Sequence, residues 1–150
     1  MMTVALPSAL LLCLLGLTSM AAAQDWPEFR GPGGQGHSSE RGLPLEWSEA
    51  RNIIWKSAVP GRGWSSPIVS GGLVWLTTAI EDRGVSLRLL AYDVATGREV
   101  VNVEVFHVGS GGALHPKNNR ASPSPIVEGD RVYVHFGTEG TAALTTAGEV

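Results

Sequence analysis

The residues with chemistry to offer are three histidines, a glycine-rich loop, a cationic pair and five tryptophans. His107, His115 and His135 are the candidate metal ligands, but they stand 8 and 20 residues apart and no cysteine lies near them. That spacing matches no compact zinc motif, so surface or structural roles are the expectation. Gly31-Pro32-Gly33-Gly34-Gln35-Gly36 spells G-x-G-x-x-G. A dinucleotide fingerprint must follow a strand and open a helix. Here a proline-containing leader precedes it and His37-Ser38-Ser39 follows, so a loop is expected.

Lys117 and Arg120, with His115 beside them, could meet an anionic ligand or a partner's carboxylates. Loops on rigid scaffolds often carry binding, although a solvated loop is the plainer expectation. Trp26, Trp47, Trp55, Trp64 and Trp75 could stack on a sugar or a quinone. Trp75 alternates with Leu73 in an apolar run and is expected in the core. Trp64, between Gly63 and a short strand, is the candidate for a channel mouth.

The elements that must position these residues come from a repeat. Ser66-Pro67-Ile68-Val69 with Gly71-Gly72 and Leu73-Val74-Trp75 returns 58 residues later. The second copy reads Ser124-Pro125-Ile126-Val127, then Gly129-Asp130, then Val132-Tyr133-Val134. A unit that cannot close its own core must stack on neighbours. The pattern predicts strands over 65–69, 73–78, 85–93 and 100–106, joined by tight turns. Val101, Val103 and Val105 alternate with Asn102 and Glu104, as on an outer strand with one face in water. The predicted architecture is all-β, with four-stranded antiparallel blades in a propeller.

Residues 1–23 read as a signal peptide: an apolar run over 4–17, then Ala21-Ala22-Ala23 before Gln24. An uncleaved anchor is the competing reading, but the run is short against the roughly 20 residues of a spanning helix. Cys13 falls inside that run, and no cysteine follows. All 14 acidic and 11 basic residues lie after position 23, giving a net charge of −3 with no basic stripe. Nucleic acid is therefore not an expected partner. Residues 24–52 are expected as a Pro/Gly-rich strap that packs its aromatic rings on the body. A strand over 53–58 is expected to close a missing last blade. Blade 1 follows over 65–106, an insertion loop over 107–122, and a truncated second blade over 123–150.

Ala91-Tyr92-Asp93-Val94-Ala95-Thr96-Gly97 resembles the A-x-D-x-x-T-G turn of pyrroloquinoline-quinone-type repeats. The Ser66-Pro67-Ile68-Val69 strand pair is similar to the preceding part of such a blade. So are the leader Trp26-Pro27-Glu28-Phe29-Arg30-Gly31-Pro32 and Gly61-Arg62-Gly63-Trp64 to those of exported bacterial quinoprotein-like propellers. Those resemble the outer-membrane protein assembly lipoprotein. The resemblance implies seven or eight blades in the complete ring and a periplasmic or extracellular location. Ser66, Pro67, Gly72, Ala91, Asp93, Thr96 and Gly97 are then structural, as are Ser124, Pro125, Gly129 and Gly148 in the second copy. The family places a docking tryptophan four residues after the glycine; here Val101 stands there. In the second copy the turn Thr146-Ala147-Gly148 lacks the aspartate.

Two functions compete. One is a non-catalytic exported scaffold that binds a protein or small ligand on the propeller face, with no cofactor in this portion. The other is a quinoprotein dehydrogenase oxidising an alcohol or sugar with pyrroloquinoline quinone and Ca²⁺. That reaction needs oxygen ligands for the metal and a carboxylate base, and no such set is identifiable in the sequence.

Overall fold

The computed structural model describes residues 24–109 and 114–150. The expected signal peptide with Cys13, and the glycine-rich tip of the insertion loop, lie outside the described residues. Seven strands follow in order. Strands β1 (Ile68–Ser70), β2 (Leu73–Glu81), β3 (Val85–Asp93) and β4 (Glu99–Val108) form one antiparallel sheet in that order. Strands β5 (Ile126–Glu128), β6 (Arg131–His135) and β7 (Thr141–Thr145) form a second. They are all-β partial propeller blades, and the ring is not closed.

The repeated turns explain the matching topology. Ser70 pairs with Leu73 across Gly71-Gly72, and Glu128 pairs with Arg131 across Gly129-Asp130. Both are two-residue hairpin loops, whose backbone twist matches that of the flanking strands. The Asp93 carboxylate accepts the Thr96 amide at 2.8 Å and the Thr96 hydroxyl at 2.7 Å. In the second copy the turn is one residue shorter: the Thr145 carbonyl accepts the Gly148 amide at 2.8 Å, three residues on, where the Asp93 carbonyl accepts Gly97, four residues on. Thr145 Oγ1 accepts the Glu149 amide at 3.1 Å, so a threonine hydroxyl braces this turn where the first copy uses a carboxylate.

The core lies between the two sheets. Trp75, Leu87, Leu89 and Ala91 from the first blade meet Val132, Val134 and Leu144 from the second, all buried. Phe106 meets Phe136 edge-on at 6.0 Å, a favoured aromatic geometry. The two copies face this core differently. Ile68 and Trp75 are 0% exposed, whereas their counterparts Ile126 and Tyr133 are 47% and 38% exposed. Alternation along a strand sends successive side chains to opposite faces. Blade 1 turns its Ile–Trp pair inward to blade 2, and blade 2 turns its own pair away.

Several expectations are corrected. Residues 53–58 join no ladder among the described residues; they cross the other face of β2 and β3 as an extended segment. Trp55 Nε1 donates to Val94 O at 2.7 Å, Tyr92 OH to Ala58 O at 3.3 Å and Thr78 Oγ1 to Pro60 O at 2.6 Å. Those side-chain bonds replace a ladder. The first strand begins at Ile68 rather than residue 65, because Ser65 uses its hydroxyl, bonded to Thr77 N and O, against β2. Blade 1 runs to Val108, two residues past its expected end, since β3 pairs through Val85 with Val108. The strap packs Trp26 but leaves Phe29 and Trp47 exposed.

Candidate functional site: the mouth at the inner strands

The inner edges of both blades meet the strap. Trp26 N donates to Val69 O at 2.6 Å, and Val69 N returns a bond to Trp26 O at 2.9 Å. The next residue, Pro27, gives its carbonyl to Val127 N of β5 at 3.0 Å. Asp25 adds a carboxylate to Ser70 Oγ and Gly71 N. One short extended segment therefore bonds the innermost strands of two successive blades on the side away from their sheets. Gly31 returns under the Trp26 indole, where any β-carbon would collide with the ring. This gives the first glycine of the G-x-G-x-x-G loop a packing role. Pro32–Gly34 is a 3₁₀ turn, not the helix a nucleotide site needs.

Beyond this clamp the strap delivers Glu28 and Phe29 to an open depression that Trp64 also lines. Ser66, Ser124 and Ile126, at the starts of the two repeated strands, complete the lining with Ser122 and Pro123. Trp64 is held from its backbone: its amide donates to Ala121 O at 2.9 Å. Gly63 lies against Thr77 O with no room for a side chain. Ser66 N donates to Ser124 Oγ at 2.8 Å, which ties the two copies together across the 58-residue offset. The rings of Phe29 and Trp64 are both more than half exposed.

The expected ligand candidates do not converge. Trp64 stands at the mouth. Arg120 is half-buried at a second cavity of about 260 Å³, with His135, Asn118 and Thr138. His115 and Lys117 are exposed on the intervening loop, where Lys117 N donates to His115 Nδ1 at 3.1 Å. The other histidines make local contacts: His107 with Glu104, and His135 with Thr141 Oγ1 at 2.9 Å. Among the described residues, no group of three or more His, Cys, Asp or Glu is placed to hold a metal ion.

The shifted ionisations belong to structure. Thr96, through its hydroxyl and then its amide, holds the Asp93 carboxyl below its usual range. The Ser86 hydroxyl, then His107, lowers Glu104 on the outer strand. Burial, then the Glu99 charge, raises Tyr92.

Phe29 and Glu28 are the site residues that sequence reasoning missed; the signal was their place directly after Trp26-Pro27. Trp55, one of the five tryptophans offered for stacking, instead lays its indole on the Gly97 turn, while Val101 and Val103 meet the Gly148 turn.

Among the described residues no helix is long and apolar enough to cross a membrane. No curated protein and no solved structure matches the chain at a significant level. The family model described as outer membrane protein assembly factor BamB matches residues 39–150. Two stacked antiparallel sheets, the Asp93–Gly97 turn and its second copy agree with that match, and the chain belongs to this PQQ-like repeat family of β-propeller proteins.

Proposed function

We propose that the chain is part of an exported β-propeller scaffold that binds a ligand or partner at the mouth of its inner strands, without turnover in this portion. The observation that carries it is the make-up of the mouth. Exposed rings and hydroxyls gather there on a rigid frame, while the groups with shifted ionisation (Tyr92, Asp93 and Glu104) serve a buried contact, a turn and a sheet edge. Binding sites are built of such apolar and hydroxyl surface, whereas a reaction centre gathers perturbed titratable groups. Export rests on the apolar run before Ala21-Ala22-Ala23. The ring is completed by further blades, seven or eight in all. The mature chain lies in the periplasm or outside the cell.

The competing reading is a quinoprotein dehydrogenase using pyrroloquinoline quinone and Ca²⁺. The test is a dye-linked oxidation assay of the full-length protein, supplied with both, against alcohols and sugars. The scaffold reading expects no turnover above the protein-free control. Sustained dye reduction that depends on quinone and protein together would overturn it. N-terminal sequencing of the exported protein is expected to begin at Gln24.

A further inference from the structure

The strap and the mouth are one construction. Trp26 and Pro27 occupy the inner edges of β1 and β5, so an extended peptide meets no open strand edge there. What remains accessible is side-chain surface: a large indole, a phenyl ring, Ile126, serine hydroxyls and the Glu28 carboxylate. None of the lining residues is itself a cation, and the Arg30 guanidinium beside them is engaged on the Phe29 ring. Ser124 Oγ accepts from Ser66 N and keeps its own proton as a donor. Glu28 supplies an acceptor for hydroxyl donors. Arg30 lies over the Phe29 ring at 5.3 Å and braces its plane.

Flat exposed rings beside hydroxyls and one carboxylate fit a ligand with an apolar ring face and a hydroxyl edge. We propose that the mouth is a saccharide-binding site, taking a neutral oligosaccharide laid across Trp64 and Phe29 with its hydroxyls toward Glu28 and Ser124. The proposal rests on the binding-scaffold reading and names its ligand class. The depression is open rather than enclosed, which suits a chain lying across it. Trp64 is carried by anchored backbone and Phe29 stands two residues beyond the Pro27 clamp, which limits the ordering cost of binding.

The test is calorimetric titration of the full-length protein with cellotetraose, chitotetraose and maltotetraose, on the wild type, W64A, W64F, E28Q and W47A. At least one saccharide is expected to bind the wild type. W64A is expected to weaken it about tenfold, equivalent to about 1.4 kcal/mol, W64F less, and E28Q several-fold. Trp47 is exposed but lies outside the mouth, so W47A is expected to bind as the wild type does. Circular dichroism checks that each variant is folded. No binding of any of the three saccharides, or binding that W64A leaves unchanged, would overturn the proposal. So would a loss with W47A equal to that with W64A. The scaffold reading fails separately, on quinone-dependent turnover, and a saccharide result does not bear on that.

Discussion

Asp93 shows how much one side chain contributes to a blade. Its carboxylate closes the β3–β4 turn on Thr96, and Gly97 takes φ 69° over the Trp55 indole. A side chain at Gly97 would meet both a strained backbone and the ring, so Gly97→Val is expected to destabilise by about 2–4 kcal/mol. Denaturant unfolding of the full-length protein measures it. The pH dependence has a definite sign. The folded Asp93 carboxyl is held below its usual range, so its contribution is full above the unfolded value of about 3.9 and is lost as pH falls through the folded one. Asp93→Asn is expected to flatten the acid limb of stability, and an unchanged limb would contradict this role. Trp75→Ala should cost about 3–5 kcal/mol, because the indole is fully buried between the sheets. These roles were legible in the sequence: alternation with Leu73 placed Trp75 inside, and the D-x-x-T-G spacing marked the turn.

At the scale of elements the legible and illegible parts separate by range. Strand β3 was readable to the residue, because Val85, Leu87, Leu89 and Ala91 share one face along it, although Leu90 and Tyr92 are buried on the other. Residues 53–58 have the same strand-like composition, yet side-chain bonds to Val94, Tyr92 and Thr78 hold them across a sheet face. Composition cannot tell a ladder from such a crossing, since both are extended. The strap was harder still. Its pairing with Val69 and Val127 joins residues more than 40 positions apart and leaves no local period. Gly31→Val is expected to unseat Trp26 and release the strap from both inner edges. Limited proteolysis of the full-length protein should then cut before Gly36 sooner than in the wild type. Equal cutting in both would show that Trp26 does not depend on the space Gly31 leaves.

For the whole molecule, the repeat made the architecture legible and left the ligand unwritten. Two copies of one strand pair specify stacked blades, but the mouth is assembled from the strap, the Gly63-Trp64 segment and the start of the second copy. Only the fold brings those three together. The far face of blade 2, with Ile126 and Tyr133, has the pattern that blade 1 buries. Residues 24–150 expressed alone are therefore expected to aggregate, because exposed strand faces and edges associate. A monodisperse monomer with a cooperative melt would contradict that. A propeller that works through a binding mouth rather than a cofactor-bearing reaction centre is tested most directly by calorimetric titration of the full-length protein with pyrroloquinoline quinone in the presence of Ca²⁺. No stoichiometric binding is expected; saturation at one quinone per chain would contradict the binding-mouth reading.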